Sequence, residues 1–355
     1  MADTKREVLR GYIASWAGIL LILLISLAVL TALAFLLSNN PAKTLALFFT
    51  GPLQNTYYLG NMINSAIPLI LGGLGASIAM QAGNFNLGGE GQIYAGALIA
   101  AVLALVLAPL GILGALLALC AGAVVSGCAA GLSGLLKAKL DTSELITTFL
   151  VSNALILITG YFITGPFLDP DTSLQSTRKI AESFRLPAIL PPSNLSAALY
   201  LALAAVAVVH LFLYRTVAGY ELRLSGQGGS FGANSFARYG GINTGRAVTL
   251  SMFLSGFLYG LGGGMAVYGT YYAAIKDFSS GMGWNGLAVA LIARSRPLAV
   301  IPAAIFFSWI GSGARLAMQF SDITFEVSSI VQAVVFFLIT GSVLRDAFMR
   351  RGSAK

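Results

Sequence analysis

The sequence predicts an all-α polytopic membrane protein with about ten transmembrane helices (eight to ten), some of them interrupted, and both termini in the cytoplasm. Three observations lead there. Of 355 residues, 57% are hydrophobic and only 10% charged, with a mean hydropathy of +0.83, whereas an ordinary soluble domain is roughly 25% charged. Windows such as 14–38 and 195–214 approach or reach the uninterrupted apolar length that a bilayer-spanning helix needs. The basic residues, finally, gather at the ends of those windows and favour one side of the membrane.

The elements follow in chain order. The start, MADTKREVLRGYIASW, is a basic tail (1–13) leading into about 25 apolar residues, too long for the core of a signal peptide, so it reads as a retained signal anchor. Spans are expected near 14–38, 57–80, 91–110, 111–136, 144–165, 194–214, 246–267, 285–295, 297–317 and 326–345. Together they make a membrane domain over 14–345, followed by a short cytoplasmic tail, 346–355. With ten spans, Lys5, Arg6, Arg10, Lys137, Lys139, Arg215, Arg223, Arg238, Arg246, Arg294, Arg296, Arg345, Arg350 and Arg351 share one side. That side is the cytoplasm, because basic residues near helix ends are retained there. The segment 166–193 becomes an extracytoplasmic loop and 215–246 a cytoplasmic one. The net charge of +8 is explained by this sorting and needs no nucleic-acid partner.

Small residues mark helix packing. Gly256, Gly260 and Gly264 form a ladder at four-residue spacing, as do Gly127 and Gly131, letting helices approach closely in lipid. A nucleotide loop at GLGGGMAVYG would need a preceding strand, and none is expected. Cys120 and Cys128 lie in one apolar run, where a mutual disulfide is geometrically disfavoured. His210 is alone in its apolar helix and reads as a packed or interfacial side chain, and no Cys/His cluster has metal-ligand spacing.

Two interruptions carry the chemistry. In Gly83-Asn84-Phe85-Asn86-Leu87-Gly88-Gly89-Glu90-Gly91-Gln92, four glycines and two asparagines break one helix, and a new one starts near Glu90. Glu90 is the one charged side chain between Lys43 and Lys137. Broken backbone at membrane depth survives only inside protein or along a cavity. Glu90 therefore has three open readings: a cap tying down the third helix, a group on a substrate route, or part of a surface loop. The second interruption, FSSGMGWNGLAVALIARSRP (278–297), opens a short apolar helix with Trp284 and Asn285 at its start. Paired interruptions in two halves of a chain point to a transporter's binding region, although Trp284 also suits an interfacial anchor.

Within the loop 215–246, residues 233–239 form two turns of helix between glycines, either a docking knob for a soluble partner or plain surface. No lysine follows a glycine, so a Walker A loop is absent, and one histidine leaves no triad or zinc protease.

NFNLGGEGQIYAGALIAA, SELITTFLVSNALI (143–156), ARYGGINTGRAVTLSMFLSGFLYGLGGGM (237–265) and GMGWNGLAVALIARSRP (281–297) stand in order over about residues 60 to 345. In that order they resemble the permease subunits of bacterial ABC importers of the ribose/branched-chain amino acid type, most closely nucleoside-uptake permeases. Phe236, where alanine is common, and the LVSNAL ending depart from the pattern.

The resemblance implies a non-catalytic transport subunit of the bacterial cytoplasmic (inner) membrane, without a cofactor of its own. ATP and Mg are used by separate ATPase subunits. A second permease chain, commonly a different paralogue, and an extracytoplasmic substrate-binding lipoprotein complete the assembly. Ala233, Asn234, Phe236, Ala237, Arg238 and Tyr239 become the coupling helix that meets the ATPase. The expected solute is a nucleoside, with a ribose-type sugar or a flavin as alternatives. Amide, carboxylate and aromatic groups suit such a ligand, so Asn84, Asn86, Glu90, Gln92, Asn153, Trp284 and Asn285 are the candidate lining residues. Two rivals stand outside the class: a secondary transporter with Glu90 as proton carrier, and an intramembrane enzyme pairing Glu90 with Asn153.

Overall fold

The computed structural model of the chain describes residues 38–227 and 236–321, with isolated positions at 28, 31–32, 34–36, 330 and 333–334. Their regular secondary structure is helical. In chain order the helices are α1 (Pro41–Phe49), α2 (Thr56–Gln81), α3 (Gly89–Val106), α4 (Gly111–Leu140), α5 (Glu144–Thr164), α6 (Ala198–Arg215), α7 (Val217–Gln227), α8 (Phe236–Tyr239), α9 (Thr244–Ala266), α10 (Met282–Ile292) and α11 (Pro297–Phe320). Strand-type pairing among the described residues is limited to two isolated bridges, Ser176 with Ile275 and Ala188 with Ser196.

Seven of the helical stretches are long and apolar enough to cross a membrane. They match the expected spans from 57–80 through 246–267, and 297–317. The expected spans 14–38 and 326–345 lie outside the described residues. The eighth, 285–295, corresponds to α10, an 11-residue helix that reaches about 16 Å at 1.5 Å per residue. That is about half of the hydrocarbon thickness of a bilayer.

The chain divides into two compact units, one of residues 60–308 and one of the described parts of 1–59 and 309–355. In the second unit, Asn40 caps α1 through Lys43 N–H at 3.2 Å. The Trp309 indole N–H donates to Phe49 O at 3.1 Å, and Gly313 brings the end of α11 onto the Phe48 carbonyl.

In the 60–308 unit α2 is the core element. The most apolar window of α2 is 89% buried against 22% for α5, which therefore lies at the periphery. The glycine ladder of α9 lies along α4. A Cβ on Gly256 would stand 2.4 Å from Ser126 O, and one on Gly260 would stand 2.5 Å from Ser126 Cβ. Only hydrogen at these positions allows that approach. Gly264 meets Leu119 one turn on. Cys120 and Cys128 are free thiols on α4, and the His210 ring packs 5.0 Å from Tyr214.

The segment 166–193 is tied down rather than free. Thr177 N–H donates to Ala274 O at 2.9 Å, Ile180 N–H to Tyr272 O at 2.8 Å and Leu186 N–H to Tyr268 O at 2.9 Å. It thereby closes over the far end of α9, where the helix widens to a π-turn over Val267–Tyr271.

Within the expected cytoplasmic loop after Arg215, the first part is a helix, α7. Thr216 turns the chain, its Oγ accepting from Gly219 N–H at 3.1 Å, and VAGYELRLSGQ continues as helix. Of the expected coupling helix, Ala233 and Asn234 lie outside the described residues. Residues 236–239 form the single turn α8, with Ala237 buried and Tyr239 78% exposed.

Candidate functional site

The interruption before α3 can be measured against α9, which runs unbroken beside it. Asn84 bonds Ser251, Asn86 bonds Ser255, Gly89 lies on the Tyr259 ring, and Ile93 O abuts Gly263. Tyr259 stands fifteen residues into the 28-residue helical stretch Thr244–Tyr271, about 22 Å from its start. The first turn of α3 is therefore near mid-depth of that stretch.

The second interruption arrives at the same level from the opposite end. After α9, residues 272–281 turn back through left-handed backbone at Tyr272, Asp277, Ser280 and Gly281. Asp277 N–H meets the Tyr94 hydroxyl at 3.1 Å, and Phe278 packs between Tyr94 and Tyr271. Helix α10 then starts at Met282 and leaves toward the end of the unit that holds Gln81, whose side-chain amide donates to Ser295 O at 2.5 Å.

Two helix starts thus meet at mid-depth, and Glu90 joins them. Its Oε1 accepts from Gly281 N–H at 2.8 Å and its Oε2 from Gly283 N–H at 2.7 Å. Gly281 is the residue capping α10, has φ of +85° and has no side chain of its own to do so. The carboxylate supplies the missing cap and opposes the positive ends of both helices. Of the three open readings of Glu90, the cap has its observed partners on another helix: Glu90 sits in the first turn of α3 but closes α10. The backbones meet directly, since a Cβ on Gly283 would stand 2.1 Å from Glu90 N. Tyr259, fully buried, reaches Gly283 O with its hydroxyl at 3.4 Å.

The amides of the break hold it shut. Asn86 and Gln92 exchange two side-chain hydrogen bonds, 2.8 and 3.0 Å, and Asn86 also bonds Ser255 at 2.9 Å and Gly88 N–H at 2.9 Å. Asn84 donates to Ser251 at 3.1 Å and to Ala82 O at 3.2 Å, and accepts from Lys137 Nζ at 2.8 Å. All three amides are 1% exposed. Such groups must be bonded when buried, and for these three of the expected lining residues protein supplies the partners. They are internal ties.

Asn153 is exposed on α5, bonded to Phe149 O at 2.8 Å, one residue beyond Ser152, whose hydroxyl holds Gly91 N–H at 2.9 Å. Trp284 is 42% exposed in the first turn of α10, Asn285 beside it is half-buried, and Phe85 in the break is also 42% exposed. These four lie at or near the level of the two helix starts.

Several residues escaped sequence reading. Thr148 and Ser152, one turn apart on α5, hold Leu87 N–H at 3.2 Å and Gly91 N–H at 2.9 Å. Their signal was the phrase 143–156, legible as a motif but not as a clamp. Lys137, counted as a flanking charge, instead points inward and pairs with Glu144 at 2.8 Å. Gly83, with φ of +73°, packs on Gly226 of α7.

A family model described as "Branched-chain amino acid transport system / permease component" matches residues 58–340. The chain belongs to this permease family. The permease is 35% identical to the probable riboflavin import permease protein RfuC of Treponema pallidum, covering 89% of this chain and 83% of that one. It is 30% identical to the guanosine ABC transporter permease protein NupP of Bacillus subtilis, over 88% and 89% of the two chains. It is 29% identical to the nucleoside ABC transporter permease protein NupB of Lactococcus lactis, over 100% and 96%. No solved structure matches the chain. The permease is a multi-pass protein of the cytoplasmic (inner) membrane and an ABC importer subunit without an ATPase site of its own. Subunits of this family work with separate ATPase and substrate-binding partners.

Proposed function

We propose that this permease forms the translocation path for a nucleoside, paired with a second permease chain of a different sequence, two ATPase subunits using ATP and Mg, and an extracytoplasmic binding lipoprotein. The observation that carries the reading is the meeting of the α3 and α10 starts at mid-depth. Discontinuous helices whose positive ends converge near the bilayer centre are where transporters bind polar solutes.

Three relatives are named for riboflavin, guanosine and nucleosides. These solutes share a flat nitrogen heterocycle on a five-carbon sugar or polyol. Trp284 and Phe85 offer exposed ring faces for the heterocycle, and Asn153 and Asn285 offer amides for hydroxyls. Glu90 organises the helix starts from beneath rather than carrying a proton. The end of the 60–308 unit that holds residues 141–143 and 240–243 faces the cytoplasm, with both termini, because Lys139, Arg246, Arg294 and Arg296 cluster there. Residues 233–239 dock on the ATPase, and ATP-driven closure alternates the two openings through differential affinity for the two states.

The test is competition in proteoliposomes holding this chain with its neighbouring ATPase, permease and lipoprotein. Labelled guanosine uptake suppressed by other nucleosides, but not by ribose or glucose, supports the reading. Suppression by riboflavin alone replaces the nucleoside with a flavin. Suppression by ribose replaces it with a sugar.

A further inference from the structure

The Lys137–Glu144 pair has no part in the reading above, yet both of its charged side chains are buried. The two side chains are 8% and 9% exposed and 2.8 Å apart. Lys137 closes the last turns of α4, and Glu144 opens α5 across the tight turn 141–143. The second bond of Lys137 goes to Asn84 Oδ1 at 2.8 Å, so the pair grips the interrupted segment at its near end. The opposite flank of that segment is gripped by the loop region: a Cβ on Gly226 of α7 would stand 2.3 Å from Gln81 O and 2.7 Å from Gly83 N. The far end of the segment is Glu90, which holds α10. Gly88 and Gly89 lie between the two anchors.

We propose that Lys137 and Glu144 are positioning residues for transport: by fixing Asn84 they give the interrupted segment a fulcrum, so that displacement of α7 reaches Glu90 and the start of α10. Without that anchor, pressure on Gln81–Gly83 would be absorbed by slippage of residues 84–89. The inference rests on the ATP-driven reading of the permease. A pair serving only to fill space would behave differently, because a buried ion pair replaced by apolar side chains of similar volume is commonly neutral or stabilising.

The experiment uses the full complex in proteoliposomes, comparing wild type, the double variant Lys137→Met/Glu144→Met, and Asn84→Ala, which cuts the link while keeping the ion pair. Solute moved per ATP hydrolysed is measured alongside assembly and thermal midpoint. The expected result is normal assembly and hydrolysis with solute per ATP down about tenfold or more in both variants, one anchor's worth of free energy at 1.4 kcal/mol per decade. Wild-type coupling in either variant would overturn the proposal. Failure of both to assemble would make the trio a folding element and also overturn it. Wild-type uptake that ignores ATP would instead sink the transport reading itself, whatever the variants do.

Discussion

Glu90→Gln removes one charge from the permease and changes little in volume, yet the geometry assigns it a large effect. The carboxylate holds two backbone N–H groups with separate oxygens, Gly281 at 2.8 Å and Gly283 at 2.7 Å. A glutamine has one oxygen, so one N–H is left facing an NH2 group, donor against donor. Each hydrogen bond to a charged group contributes about 1.5–3 kcal/mol, and the surviving one drops toward the neutral value of about 1 kcal/mol. The lost attraction to two helix starts adds about 0.3–1 kcal/mol. The sum, about 2–6 kcal/mol, lowers the ratio of joined to separated states by about 30-fold or more at 1.4 kcal/mol per decade. Uptake per assembled complex should fall accordingly, and the thermal midpoint of the purified complex should drop. Glu90→Asp, which keeps charge and both oxygens on a shorter arm, should fall between. Wild-type uptake and an unchanged midpoint in Glu90→Gln would refute the argument that this carboxylate joins α3 to α10.

Gly283→Ala places a Cβ 2.1 Å from Glu90 N and 2.4 Å from Gly89 C, both backbone atoms. Overpacking of this kind costs about 1–3 kcal/mol or more, and the measurement is uptake together with recovery of folded protein from membranes. The pair Phe236→Asp/Tyr239→Asp should abolish co-purification of the ATPase, because Tyr239 stands 78% exposed on a single helical turn; unchanged co-purification would remove residues 233–239 from the docking site. Trp284→Ala should raise the apparent KM for a nucleoside about tenfold, within the 1–3 kcal/mol typical of base stacking, while assembly is retained. An unchanged KM would return Trp284 to the role of an interfacial anchor.

The spanning helices were legible because length and apolarity are properties of a local window. Interruptions were legible for the same reason: glycine and asparagine break helices wherever they cluster. What local reading missed was what each break touches. Glu90 stood open as a cap for the helix it begins, a group on a substrate route or a surface residue, and its partners, Gly281 and Gly283, lie about 190 residues on. Nothing in composition links the two. Asn84, Asn86 and Gln92 looked like ligand groups because amides in apolar sequence demand partners, and sequence alone does not tell a solute from Ser251, Ser255 or one another. Lys137 was read as a flanking charge because it stands near a helix end; about half a turn of rotation decides whether such a lysine meets headgroups or Glu144. The polar stretch after Arg215 hid α7, whose moderate polarity suits a helix with one face on solvent and its Gly226 against Gly83.

The measurement that bears most directly on the central claim is nucleoside uptake by proteoliposomes of the assembled importer, with ATP enclosed or absent and with the proton gradient intact or collapsed. The account predicts uptake that requires ATP and the binding lipoprotein and is indifferent to the proton gradient. Uptake that proceeds without ATP and stops when the gradient collapses would contradict it, and would make the half-buried carboxylate of Glu90 a proton carrier instead of the tie between two helix starts.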